Sequence, residues 1–132
     1  MPALFDTVPK EDYFYFFDKG KLNGKNVVEF FDYQKKDVAQ ATGVPEDSIR
    51  YDKRIPQKLH EHLLAWASAV NLVANYFRDP QKTVLWFKIP NPLLGNISPK
   101  EMIRLGRYNK LLKFIQNSID ENIKQVKKPT HG

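Results

Sequence analysis

The sequence predicts an all-α protein, a helical bundle in which apolar residues follow helical rather than strand spacing. The first observation is a long apolar stripe from residue 57 to 77, whose members recur on one face of a helix. The second is a pair of helix starts, Asp79-Pro80 and Ser98-Pro99, in which a capping side chain precedes a proline at the first helical position. Glu101 lies three residues after Ser98 and completes the pattern of a capping box. We therefore expect six or seven helices in one continuous bundle.

Residues 1–23 form an N-terminal arm in this interpretation. Residues 1–12 are polar and contain two prolines, and a loop is expected from Asp18 to Asn26 because it contains two glycines. Between them lies an aromatic run, Tyr13–Phe17, whose bulk implies burial. It is too short to be assigned to a strand or to a helical turn. A short helix from Asn26 to Phe31 is predicted to follow.

Residues 24–57 have the spacing of a helix-turn-helix. A helix is predicted from Gln34 to Thr42, Gly43 supplies the turn, and a further helix is predicted from Glu46 to Lys53. Ala39 lies four residues before the glycine and lets the two helices cross closely. The candidate DNA contacts are Lys35, Ser48, Arg50, Tyr51, Lys53 and Arg54. The pattern also fits a tight helical corner, and acidic residues offset the basic ones in the predicted recognition helix, so both interpretations stay open.

Residues 58–77 are predicted to form a connecting helix, and residues 78–126 a second helical region. This region begins with a short helix from Pro80 to about Lys88. Another helix starts at Pro99 and breaks at Gly106. A final amphipathic helix carries its apolar stripe on Tyr108, Leu111, Leu112, Ile115 and Ile119.

The stretch from residue 89 to 96 contains two prolines and a glycine, which exclude a regular helix. It is either a connection buried between helices or a stiff edge that binds a protein with little loss of entropy. We predict that Leu94 and Gly95 form the centre of a partner-binding surface.

Positive charge is concentrated toward the C-terminal end. The chain has a formal charge of +6; residues 100–132 carry eight Lys/Arg and three Asp/Glu, whereas residues 1–57 carry nine and ten. Residues 127–132 are expected to be a tail. The basic end is either a solvated face or a surface that attracts nucleic acid or acidic protein.

The sequence contains no recognisable pattern for catalysis or for cofactor binding. His60 and His62 are two residues apart on a predicted helix and point to different sides, and the chain has no cysteine. We expect no enzymatic activity and no cofactor. No apolar run approaches the roughly 20 residues that span a bilayer, and the N-terminus lacks a secretory pattern. A cytoplasmic protein without a membrane partner is therefore expected.

The segment from Asp79 to Gly106 resembles the toxin-binding domain of the Xre/MbcA/ParS antitoxins. The residues that carry the resemblance are Asp79-Pro80, Trp86, Pro90-Asn91-Pro92, Leu94-Gly95, Ser98-Pro99, Glu101-Met102 and Gly106. The helix-turn-helix spacing and the long helix, residues 24–77, are similar to the family's usual N-terminal half. The resemblance therefore covers roughly residues 24–120.

The resemblance implies an antitoxin of a type II toxin–antitoxin pair, which neutralises a RES-domain toxin that consumes NAD. It further implies binding to operator DNA and assembly as a homodimer or as a hetero-oligomer with the toxin. By position it implies toxin contacts at Trp86, Asn91, Leu94, Gly95, Asn96, Pro99, Lys100 and Arg107. The sequence departs from the family pattern at Lys110, where an apolar residue is often expected, and after Ile119, where a glycine is usual. The alternatives are a stand-alone helix-turn-helix DNA-binding regulator and an interaction module unrelated to toxins.

Overall fold

The computed structural model describes the backbone of residues 11–127 and the side chains of residues 11–121. The described elements are β1 (Phe17–Asp18), β2 (Lys21–Leu22), α1 (Gly24–Phe31), α2 (Lys35–Thr42), α3 (Gln57–Phe77), α4 (Pro80–Lys88), α5 (Pro99–Arg104) and α6 (Tyr108–Lys127). Two short 3-10 turns, Glu46–Ser48 and Pro92–Leu94, lie after α2 and α4. The predicted all-α fold is confirmed, with a minimal hairpin added. Of the expected loose arm, residues 1–12, and tail, residues 127–132, the parts at residues 1–10 and 128–132 lie outside the described residues.

The aromatic run is part of a turn and hairpin that pack on the bundle. The Asp12 carboxylate accepts a hydrogen bond from the backbone N–H of Phe16 at 3.1 Å, which fixes the turn. Phe16 is fully buried in the core, so the residues just before α1 belong to the folded body. The loop predicted from Asp18 to Asn26 is wrong, because the chain pairs β1 with β2 and then starts α1 at Gly24. The Asn23 side chain caps this helix.

α2 ends at the predicted turn, but the helix predicted after it does not form. Gly43 has the left-handed conformation, with φ at 77°, and its N–H donates to the carbonyl of Ala39. This is the expected role of a glycine at a helix C-terminus. The prediction of a helix from Glu46 to Lys53 is wrong: a single 3-10 turn covers Glu46–Ser48, and Ile49 is extended.

Local hydrogen bonds and burial account for the missing helix. The Asp52 carboxylate accepts from the Arg50 guanidinium at 2.8 and 2.6 Å and from the backbone N–H of Arg54 at 2.9 Å. Side-chain bonds of this kind compete with helix formation. Ile49 is buried and Tyr51 half-buried, with exposed Arg50 between them. This alternation suits an extended chain, which puts Ile49 into the core.

α3 confirms the predicted connecting helix and is the centre of the bundle. It packs against α1, α2, α4 and α6. Its buried stripe consists of Leu59, Leu63, Trp66, Ala67, Ala69, Val70, Val73 and Ala74. The rings of Phe31 and Tyr33 lie against Trp66, with centroid distances of 6.0 and 5.6 Å. Burial of each large apolar side chain stabilises the fold by about 1.5–3 kcal/mol, and α3 contributes more buried residues to the described core than any other element.

The predicted helix starts of the C-terminal half are confirmed. The side chains of Asp79 and Ser98 each accept from the backbone N–H three residues further on, both at 3.1 Å. The second half of the predicted capping box differs, because the Glu101 carboxylate is paired with Arg104 instead. Gly106, with φ at 79°, separates α5 from α6.

Two tyrosines connect this half of the molecule to the rest. The hydroxyl of Tyr33 donates to the carbonyl of Lys100 at 2.5 Å, and that of Tyr108 donates to the carbonyl of Ala65 at 2.8 Å. Burial raises the pKa of Tyr33 far above its ordinary value of 10.0, so it remains a donor. The hydrophobic core forms one cluster that extends from residue 16 to residue 119.

Candidate protein-binding surface

The connection between α4 and α5, residues 89–97, is named here the proline loop. Asn91 organises its backbone: the side-chain oxygen accepts from the N–H of Leu93 at 2.9 Å, and the carbonyl accepts from the N–H groups of Leu94 and Asn96 at 2.9 and 3.0 Å. The Asn91 N–H donates to the carbonyl of Ile97, at the other end of the loop, at 3.0 Å. The loop satisfies these backbone groups internally, so it holds one shape without a partner.

The two leucines of the proline loop have opposite surroundings. Leu93 is 78% exposed, whereas Leu94 is half-buried and packs against the core. Leu94, which is predicted to lie at the centre of a partner-binding surface, is thus the less exposed of the two leucines. The 3-10 turn causes the difference, because it directs Leu94 inward before Gly95 and Asn96 reverse the chain. Both of these residues are exposed and left-handed, with φ at 80° and 66°.

An apolar groove of about 260 Å³ lies beside the proline loop, between α3, α4 and α6. Its lining residues are Val73, Tyr76, Phe77, Trp86, Asn91, Leu93, Phe114, Ile115, Ser118 and Ile119. Leu93 therefore belongs both to the loop and to the wall of the groove. Leu85 on α4 and Ile89, which follows the end of that helix, are 56% and 53% exposed. Exposed apolar side chains on neighbouring parts of a surface are typical of a site that binds protein.

Three residues of this surface were not among the predicted contacts: Leu93, Tyr76 and Phe114. The sequence alone does not reveal which of the adjacent residues Leu93 and Leu94 points outward. Phe114 lies outside the predicted apolar stripe of α6, and an aromatic residue off the stripe is a signal that could have indicated the groove.

Most predicted toxin contacts lie at the proline loop and the groove, namely Trp86, Asn91, Leu94, Gly95 and Asn96. Pro99 is buried in the first turn of α5, so it supports the loop from within. Lys100 is half-buried, with its ammonium nitrogen 5.9 Å from the centroid of the Tyr33 ring. Arg107 is exposed and directly precedes α6.

Basic side chains flank the apolar surface. The ammonium nitrogen of Lys82 lies 4.5 Å from the centroid of the Phe77 ring, at the wall of the groove. Arg107, Lys110 and Lys113 are exposed around the start of α6. These charges favour a partner whose surface is acidic next to its apolar contact.

The predicted DNA contacts lie on α2 and on its connection to α3, and no single helix presents them. Arg50 is paired with Asp52, and this hydrogen-bonded ion pair lowers the pKa of Asp52 to about 2. Tyr51 is half-buried, and its burial raises the pKa of its hydroxyl. The exposed candidates are Lys35, Ser48, Lys53 and Arg54.

Among the described side chains, those of residues 11–121, no group of three or more His, Cys, Asp or Glu is placed to hold a metal ion. No helix in the same part of the chain combines the length and the apolar character that crossing a membrane requires. Comparison with protein-family models and with curated proteins gives no match to this chain. The likeness to the antitoxins therefore rests on the residues named in the sequence analysis.

Proposed function

We propose that this chain binds a partner protein through the proline loop and the exposed face of α4, and that the partner is a RES-domain toxin which it neutralises as an antitoxin. The observation that carries protein binding is Leu93, which is 78% exposed on a loop whose backbone is hydrogen-bonded internally. The class of partner rests on the resemblance between residues 79–106 and the antitoxin pattern.

A preordered apolar loop is well suited to bind protein. Because Asn91 already orders the loop, association immobilises few additional residues and loses little entropy. Full burial of Leu93 against a partner contributes about 1.5–3 kcal/mol, and Leu85 and Ile89 add further apolar area. The exposed amide of Asn96 offers hydrogen bonds that fix the orientation of the partner.

In this proposal residues 78–126 act as the toxin-binding domain, and α3 connects them to the N-terminal half. The proline loop contains two parts of the antitoxin pattern, Pro90-Asn91-Pro92 and Leu94-Gly95. The basic residues around the start of α6 then face acidic groups of the toxin, which increases the rate of association.

The proposal does not extend to base recognition by residues 46–53. A recognition helix enters the major groove and presents side chains from successive turns. This segment contains one 3-10 turn, and the Arg50 guanidinium is already paired with a carboxylate. Operator binding and the stand-alone regulator therefore stay predictions. If this segment reads DNA, Arg50→Ala and Lys53→Ala weaken a mobility shift on the upstream region.

Growth rescue tests the proposal directly. We expect a RES-type reading frame beside the gene for this chain, and we expect its product to stop growth when it is expressed alone. Co-expression of the unaltered chain restores growth, and Leu93→Asp does not. Leu64→Asp is the matched control, because Leu64 is 39% exposed on α3 and does not line the groove. The absence of such a reading frame, failure of the unaltered chain to rescue, or full rescue by Leu93→Asp contradicts the proposal.

A further inference from the structure

The turn between α1 and α2 contacts the chain on both sides of the proline loop. Asp32 and Tyr33 are consecutive residues of this turn. The Asp32 carboxylate accepts a hydrogen bond from the ammonium group of Lys88, the last residue of α4, at 2.7 Å. The Tyr33 hydroxyl donates to the carbonyl of Lys100, in the first turn of α5, at 2.5 Å. Since the proline loop lies between Lys88 and Lys100, one short turn is bonded to the chain both before the loop and after it.

The turn is itself fixed to the core of the N-terminal half. The N–H groups of Asp32 and Tyr33 donate to carbonyls of the last turn of α1, at 3.1 and 3.2 Å. The Tyr33 ring stacks on the ring of Phe31 at a centroid distance of 5.1 Å and also lies against Trp66. Both of these neighbours are at most 1% exposed. The position of the Tyr33 hydroxyl, and with it the point at which α5 is held, is therefore set by buried side chains outside the loop.

Asp32 is an unfavourable residue for its own helix. It ends α1 in the left-handed conformation, with φ at 57°, where glycine or asparagine is the common residue. The helix dipole also disfavours a carboxylate at the C-terminal end of a helix, whereas it favours Lys88 at the end of α4. The side chains of Asp32 and Lys88 are 63% and 38% exposed, and so exposed an ion pair adds little to the stability of the whole fold. The contact that accounts for a carboxylate here is therefore a local one, which holds the end of α4.

We infer that Asp32 and Tyr33 are positioning residues of the proposed binding surface, and that the turn between α1 and α2 sets the geometry of the proline loop. The hydrogen bonds of Asn91 give the loop its internal shape. The two contacts of the turn fix where the chain leaves α4 and where it enters α5. The N-terminal half thus contributes to partner binding through this turn, independently of any contact with DNA. The effect on the loop is a property of the chain alone, and the effect on affinity rests on the proposed function.

Two tyrosine variants provide a matched test in the full chain. Tyr33→Phe and Tyr108→Phe each remove one hydroxyl that donates to a backbone carbonyl, but the bond of Tyr108 goes to Ala65 on α3. Only Tyr33→Phe releases an end of the proline loop. Amide hydrogen exchange of residues 89–97 in the free chain should become about fivefold faster in Tyr33→Phe and stay unchanged in Tyr108→Phe, because these amides exchange through local opening. Equal acceleration in the two variants, or none in Tyr33→Phe, overturns the inference.

Asp32→Asn tests the other end of the loop. Asparagine tolerates the left-handed conformation and removes the charge that pairs with Lys88. We expect exchange of residues 89–97 to become about twofold faster, since an exposed ion pair is weak. In a Lys88→Met background the same substitution should have no effect, because the partner is already gone. Glu29→Gln, which removes a negative charge from an exposed position on the same helix, is the control and should change nothing. No effect of Asp32→Asn, or an equal effect in the Lys88→Met background, overturns the role of Asp32.

Titration calorimetry with the proposed RES-domain toxin tests the consequence for binding. We expect Tyr33→Phe to raise Kd at least twofold and Tyr108→Phe to leave it unchanged, because affinity falls with the fraction of molecules whose loop holds the binding geometry. Equal Kd values for the two variants overturn the positioning role in binding. If the unaltered chain does not bind the toxin, the proposed function fails, whereas the exchange measurements still decide whether the turn positions the loop.

Discussion

Truncation of the two leucines of the proline loop separates partner binding from folding stability. Leu93 and Leu94 are adjacent and chemically identical, yet one is 78% exposed and the other packs against the core. Leu93→Ala and Leu94→Ala remove the same atoms from these two environments. The pair therefore forms its own matched control.

The expected magnitudes follow from the burial of each side chain. Leu93 loses about a fifth of its exposed area on folding, so Leu93→Ala costs about 0.5 kcal/mol or less of unfolding free energy. Full burial makes Leu→Ala cost about 2–5 kcal/mol, so half-buried Leu94 is expected to cost about 1–2 kcal/mol. At about 4 °C per kcal/mol for a chain of this size, Tm falls by about 2 °C or less for Leu93→Ala and by about 4–8 °C for Leu94→Ala.

Affinity for the toxin is expected to change in the opposite order. If Leu93 is central to the contact, Leu93→Ala costs about 2 kcal/mol of binding, a loss of roughly 30-fold in Kd. Thermal denaturation by circular dichroism and titration calorimetry with the toxin measure the two quantities on the same preparations. An equal fall in Tm for both variants, or an unchanged Kd for Leu93→Ala, refutes the reasoning.

Three further predictions concern the scaffold that holds this surface. Tyr33→Phe removes the hydrogen bond to the carbonyl of Lys100 and is expected to lower stability by about 1–1.5 kcal/mol in denaturant melts; an unchanged midpoint contradicts this role. Ser98→Ala removes the cap of α5 and is expected to cost about 1 kcal/mol, with Tm as the readout and no change as the contrary result. Burial, with a smaller contribution from a neighbouring lysine, lowers the pKa of His62 below its ordinary value of 6.5. The contribution of neutral His62 to the free energy of unfolding is therefore fully present above pH 6.5, and it is lost as the pH falls through the lower pKa of the folded state. His62→Gln should reduce this decline in Tm at low pH, and the matched variant His60→Gln should leave the decline in place. If Tm falls equally with pH in both variants and in the unaltered chain, His62 is not the cause of the decline.

Features that depend on nearby residues could be predicted from the sequence. The apolar stripe of α3 specifies its length, and the turn at Gly43 follows from the conformational freedom of glycine. The starts of α4 and α5 follow from capping groups at Asp79 and Ser98 that act within one turn. Each of these signals is contained in a few consecutive residues.

Features that depend on contacts between distant parts of the chain could not be predicted. The burial of Ile49 in the shared core decides against a helix after α2. The local hydrogen bonds of Asp52 to Arg50 and Arg54 also disfavour it, and the alternation of apolar and charged residues from Ile49 to Asp52 is the one sequence signal for an extended chain there. The place of Phe16 in the core depends on helices that follow it in the sequence. The choice between Leu93 and Leu94 depends on how the 3-10 turn meets the core, which sequence spacing does not determine.

The central claim is that the proline loop is the surface that contacts a RES-domain toxin. Amide hydrogen exchange of this chain, measured free and in complex with the proposed RES-domain toxin, tests that claim most directly. Residues 89–97 and the adjoining end of α4 should show the largest increase in protection, because a bound partner suppresses the local opening through which a surface loop exchanges. Protection confined to residues 46–54, with unchanged exchange in residues 89–97, would contradict it.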